Sequence, residues 1–235
     1  MSPKVISENI EEYLEVLYKF GNKSDFVSTT TLSKELSIAP GSVTQMLKKL
    51  EDLGYIQYTP YKGALLTDKG MKVSQKITRK HRILERFLKD VLKIKEENIH
   101  HQACEMEHSL SDEAERALCH LLNNPDTCPD NHLIPACSFD FDNCENCLNS
   151  KLDIEEIPIR KHNLLSISQL DCDDEGEILF IRCSSNSYNL AKGLGLKRGS
   201  VIKVKNVDSF ITIEINGSII DIDESLANNI FVKVL

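Results

Sequence analysis

Apolar residues recur at helical spacing near the start of the chain. In VISENIEEYLEVLYKF, Ile6, Ile10, Tyr13, Leu14 and Leu17 share one side and glutamates fill the other, which predicts an amphipathic helix over 5–20. The turn-prone GNKSD follows, then VSTTTLSKELSI and APGSVTQMLKKLEDLGYI. Pro40 and Gly41 break the pattern between these two helical stretches, Ser42 is the expected cap of the second, and Gly54 ends it. The short apolar pieces IQYTPY and GALLTDKG read as strands. Helix, turn, helix and strand pair is the order of a winged helix-turn-helix.

Beyond it, MKVSQKITRKHRILERFLKDVL predicts one long helix over 71–92, and a second spans 99–122. Paired amphipathic helices of this kind commonly pack against their own copy, so a homodimer is expected. The pattern then dissolves into NNPDTCPDNHLIPACSFDFDNCENCLNS, a loop or a metal-folded insert. From Pro158 onward, EILFIRC, SVIKVKNV, FITIEI, SIIDI and IFVKV alternate between Gly, Asn and Asp turns, and five such strands indicate a small β-barrel. The fold class is α+β multidomain. Its expected parts are a winged helix-turn-helix at 1–73, a helical dimerisation domain at 74–127, a Cys-rich insert or linker at 128–157, and a β-barrel at 158–235.

Charge changes the picture of the first part. The chain of 235 residues has a formal net charge of -8, yet residues 1–82 hold 13 Lys and Arg against 9 Asp and Glu, a net of +4. A basic start on an acidic remainder suits a reader of double-stranded DNA joined to a regulatory body. In the second helix of the pair, Ser42, Thr44 and Gln45 are candidates for base edges and Lys48 and Lys49 for phosphates, with Lys62, Lys69 and Lys72 as further phosphate candidates beyond it. The competing reading is a polar surface helix that touches no DNA. No apolar run approaches the length of a membrane span and MSPKVISENIEEY is unlike a signal peptide, so a cytoplasmic protein without membrane contact is expected. In that setting the eight cysteines are reduced thiols or metal ligands.

The densest chemistry lies between 81 and 108. His81 and Glu85 stand four apart, as do His100 and Cys104, followed by Glu107 and His108. Helical spacing puts such side chains on one face. Imidazole, thiolate and carboxylate together suit Fe(II), Mn(II), Co(II), Ni(II) or Zn(II), and suit Mg(II) or Ca(II) badly. Glu12 on the first helix is a seventh candidate. A metalloenzyme is the rival class, but the chain offers neither a His-Glu-x-x-His motif nor a Gly-rich phosphate loop, so no enzyme and no small-molecule substrate is expected. Separately, Cys144-Glu145-Asn146-Cys147 has the spacing for two thiolates on one metal. Cys128 and Cys137 would complete a site for Zn(II) or an iron-sulfur cluster, with Cys119 in reserve. A cluster would make this region a redox sensor; free thiols in a loop are the alternative.

RKHRILERFL followed by HHQACEMEHSLSDEAERAL resembles the metal-dependent repressors of the diphtheria toxin repressor family, iron- and manganese-responsive members included. The resemblance implies that the β-barrel is an SH3-like domain of the kind found in ferrous-iron transport accessory proteins, on patterns such as GLGLKRGSVIKV. It implies a primary site of Glu12, Cys104, Glu107 and His108, and an ancillary site of His81, Glu85 and His100. Glu12 is similar to the manganese-type arrangement, whereas manganese-type members carry a carboxylate where this chain has Cys104. The thiolate pulls toward later metals and the carboxylate toward harder ones, leaving Fe(II) first and Mn(II) next as co-repressor. In some members the SH3-like domain adds ligands; Ser184-Ser185-Asn186-Ser187 is the stretch that aligns. The expected partners are a palindromic operator and a second copy of the chain.

Overall fold

In the computed structural model, which describes residues 7–21, 26–182, 187–208 and 210–235, the first helix runs Glu8–Phe20 (α1). Its stripe of Ile10, Tyr13, Leu14 and Leu17 is buried, while Ile6 lies outside the described residues. Helices Thr29–Glu35 (α2) and Pro40–Asp52 (α3) follow. They pack Leu32, Val43, Leu47 and Leu50 against the α1 stripe. Ser28 caps α2 by accepting a hydrogen bond from Thr31 N at 3.0 Å. The start of α3 departs from expectation: Ala39 is the N-cap, with no side-chain bond, and Ser42 sits inside the first turn. Pro40 explains this, because its fixed φ suits the first helical position and its missing N–H costs nothing there.

Strands Ile56–Thr59 (β1) and Gly63–Leu66 (β2) form an antiparallel hairpin with Ile56 opposite Leu66. Val27 and Ala64 exchange backbone hydrogen bonds of 2.9 Å, which seat α2 on the hairpin. That approach requires glycine at 63: its φ is +118°, and a Cβ there would stand 2.0 Å from the Val27 carbonyl oxygen.

Helix α4, Asp68–Arg86, contains the boundary between two units, 1–78 and 79–235. In the second unit a π-helical turn, Phe87–Val91, precedes Glu96–Glu107 (α5) and Asp112–Leu121 (α6). The single helix expected over 99–122 is therefore two. Ser111 caps α6 by accepting from Ala114 N at 3.1 Å, and Asp112, Glu113 and Glu115 fill the first turn, where carboxylates favour a new helix start. Leu84, Leu88, Ile99 and Ala103 bury together between the helices.

All five expected strands form, as Glu175–Ile181 (β4), Val201–Val207 (β5), Ile211–Ile215 (β6), Ser218–Ile222 (β7) and Ile230–Val234 (β8). A two-residue strand, Leu165–Ser166 (β3), makes a sixth. Every pairing is antiparallel, in the order β3-β8-β4-β5-β6-β7, and the sheet is not closed. In β6, Ile211, Ile213 and Ile215 face the core and Thr212 and Glu214 do not. Asn216-Gly217, both at positive φ, turns it into β7. Helices Ser187–Gly193 (α8) and Glu224–Ala227 (α9) lie between strands.

Between α6 and β3 the chain forms one short helix, Cys144–Leu148 (α7), capped by Asn143. Asn143 also bridges Ile181, and Arg182 donates to the carbonyls of Asp126, Ile134 and Pro135 at 3.2, 2.5 and 3.2 Å. The stretch is thus pinned to the end of β4. No helix among the described residues is long and apolar enough to cross a membrane.

Candidate metal centre

Helix α4 brings His81 and Glu85, and α5 brings His100, Cys104 and Glu107. His81 is the middle of the group. Its Nδ1 lies 2.7 Å from Glu107 Oε2, and its Nε2 lies 3.1 Å from both Glu85 Oε1 and His100 Nδ1. Cys104 Sγ is 3.9 Å from His81 Nδ1 and 3.8 Å from His100 Nε2. His108, which caps α5, places Nε2 3.6 Å from Glu107 Oε1. Six of the seven expected donors therefore meet in one network. The seventh, Glu12, stands exposed on α1 in the other unit. Ser184, Ser185 and Asn186 lie outside the described residues.

His81, Glu85 and Glu107 are buried, whereas the His100 side chain is 75% exposed, so the network opens to solvent on one side. Burial raises the Glu85 carboxyl, but hydrogen bonds from His100 and His81 outweigh it and hold the group well below the usual carboxylate range. Cys104 and Glu85 push His100 up to about 10. Burial works against the Cys104 thiolate, yet His100 and His81 bring its pKa below the ordinary thiol value. The network is a set of hydrogen-bonded acids and bases whose protons occupy the space between N, O and S donors. His81, His100 and Cys104 have donor atoms all within 4.8 Å of one another. That donor set fits a borderline divalent ion, which would take the protons' place.

Sequence reasoning missed Cys128 here. It lies near enough to Glu85 for each to shift the other's titration, and its Sγ is 3.9 Å from His132 Nδ1. It does not join Cys137, Cys144 and Cys147; those three line a separate pocket with Cys119. The alternate spacing of Cys128, Asp130 and His132 was the available signal, but chain proximity pointed to Cys137, Cys144 and Cys147 instead.

On α3, Ser42, Gln45, Lys48 and Lys49 are exposed along one face, as a DNA reader needs. Thr44 is half-buried and donates its hydroxyl to the Pro40 carbonyl at 2.9 Å. Lys62 is exposed beside the hairpin turn, with its ammonium 6.0 Å from the Phe26 ring centre. Lys69 is engaged locally, on the Leu53 carbonyl at 2.6 Å and the Tyr55 ring. Tyr61, at the tip of the hairpin, is fully exposed at φ +67° and has no counterpart in the expected DNA-contact set.

Three family models match in series. They describe an iron dependent repressor N-terminal DNA binding domain over 5–64, an iron dependent repressor metal binding and dimerisation domain over 67–136, and a FeoA domain over 165–234. An uncharacterized HTH-type transcriptional regulator of Methanocaldococcus jannaschii is 44% identical over 109 residues, 46% of this chain and 87% of that protein. This chain belongs to the diphtheria toxin repressor family. The repressor is also 23% identical to the diphtheria toxin repressor of Corynebacterium efficiens over 98% of its own length and 97% of the relative's. The solved manganese regulator SloR shares its fold, with TM-score 0.51 and 22% identity over 97% of this chain and 99% of that one. The repressor thus falls among metal-dependent transcriptional repressors, and its His81 network lies inside the segment matched to the metal binding and dimerisation domain.

Proposed function

We propose that the repressor is a homodimer that binds a palindromic operator when Fe(II), or in second place Mn(II), is held by the donors of α4 and α5. Cys104, Glu107 and His108 form the primary set, with Glu12 supplied by the DNA-binding unit; His81, Glu85 and His100 form the ancillary set. The carrying observation is the buried His81 ring, which touches Glu107 from the first set and Glu85 from the second. A bound ion supplies positive charge and directional bonds where protons now join these groups. Cys104 and the three imidazoles favour Fe(II) over Mn(II), since thiolate and imidazole suit later metals. Ser42 and Gln45 read bases, and Lys48, Lys49 and Lys62 meet phosphates. An ion sharing donors from both units would restrict their relative motion and lower the entropic cost of presenting two α3 helices to successive major grooves.

An anaerobic mobility-shift titration tests this. Operator binding should require metal, appear at lower Fe(II) than Mn(II), and be reversed by chelator. Equal binding with chelator and with Fe(II) would sink the proposal.

A further inference from the structure

Four of the thiols left out of the His81 network gather elsewhere in the second unit. Cys119 on α6, Cys137 in the following loop, and Cys144 and Cys147 on α7 line a cavity of about 20 Å³, with His120 at its edge. That is room for about one water-sized sphere. Cys119, Cys144 and Cys147 are buried. His120 Nε2 lies 3.5 Å from Cys147 Sγ.

The surrounding charge is unusual. Arg79 Nη2 donates to Cys119 Sγ at 3.1 Å, and its Nε pairs with Glu115 at 2.6 Å. Arg116 Nε meets Cys147 Sγ at 3.5 Å, and its other hydrogen bonds end on the carbonyls of Cys147 and Ser150. Arg182, also on the cavity wall, donates to the carbonyls of Asp126, Ile134 and Pro135. Among the described residues these three guanidinium groups have one carboxylate ion-pair partner, Glu115, and Asp126 acts on Arg182 from farther off, so positive charge is in excess around the four thiols. Burying such charges is costly unless an anion answers them. Four thiolates on one divalent ion carry a net charge of two minus, which would answer that excess.

We propose that Cys119, Cys137, Cys144 and Cys147 hold a single thiophilic divalent ion, Zn(II), as a tetrahedral tetrathiolate centre. Four thiols give four protons to solvent, four sulfur–metal bonds form, and no electron is transferred. The three-donor groups already closed to within 4.8 Å include His81, His100 and Cys104, and Cys128, Asp130 and His132, so ion entry must draw these four sulfurs inward. The small cavity favours one ion over an iron-sulfur cluster. Because the centre joins α6, the loop that holds Cys137 and α7, it would brace these pieces of the second unit against one another. It is independent of the co-repressor site.

Co(II) titration of the reduced, metal-free full chain under anaerobic conditions is the test. Near-ultraviolet thiolate-to-cobalt absorption, with visible bands of tetrahedral cobalt, should appear in the native chain and persist in Cys104→Asp, but vanish in Cys137→Ser combined with Cys147→Ser. If the absorption is instead lost with Cys104→Asp and kept in the double variant, the proposal fails. It fails too if colour forms only with Fe(II) plus sulfide, which would assign the thiols to a cluster. Should the double variant not fold, alkylation of the native chain decides. One equivalent of Zn(II) should protect Cys119, Cys137, Cys144 and Cys147 together, and unchanged labelling of those four would overturn the centre.

Discussion

The His81 network and the Cys119 pocket lie in the same unit and handle charge in opposite ways. Around His81, two buried carboxylates face imidazoles, and every acid has a base within hydrogen-bond reach. Around Cys119, thiols face the guanidinium groups of Arg79 and Arg116, and of these two, among the described residues, only Arg79 has a carboxylate ion-pair partner. A site whose charges are already balanced by protons can fill and empty with small structural consequence, as a reversible sensor must. A site with unanswered positive charge is incomplete until filled, and suits an ion that stays.

Three changes test the contrast, the largest first. Glu115→Ala takes the carboxylate partner from the buried Arg79 and should cost about 3–5 kcal/mol of stability. Chemical denaturation with and without Zn(II) measures it, and the contrast requires the loss to be smaller with Zn(II) bound. His81→Ala removes the ring shared by both carboxylates and should weaken metal-dependent operator binding by roughly 100-fold, while leaving cobalt–thiolate absorption at the Cys119 pocket unchanged.

The third change is pH. His100, pushed up to about 10, carries its proton at neutral pH and must release it to bind metal. Affinity at the His81 network should therefore fall about tenfold per proton for each unit of acidification, read by metal-buffered titration between pH 8 and 6. Stability follows its own signs. Glu85, depressed below its ordinary 4.5, contributes stability present above that pH and lost as pH falls, whereas His100 contributes below its ordinary 6.5 and loses that contribution as pH rises through about 10.

Periodicity made much of this molecule legible. The α1 stripe, the helix-turn-helix order and all five alternating strands follow from spacing, and four-residue intervals placed His81, Glu85, His100 and Cys104 together. What escaped was decided by local or distant competition. The break between α5 and α6 depends on one serine cap that outweighs an otherwise helical run. Pro40 overrode Ser42 at the start of α3. The partners of Cys128 and Cys119 were exchanged because thiol grouping depends on how α4, α6 and the intervening loop pack, which residue spacing in a loop does not encode. Strand β3 is two residues long, too short to show alternation.

Arg182 has a consequence for how the second unit comes apart. It directly follows β4 in the sheet, but its side-chain hydrogen bonds end on Asp126, Ile134 and Pro135, in a stretch with almost no regular structure of its own. Pulling that stretch away strands a buried cation and three carbonyls at once, so opening it alone is costly. A segment that looks like a loop should therefore exchange its amide hydrogens with the sheet, as part of one cooperative block.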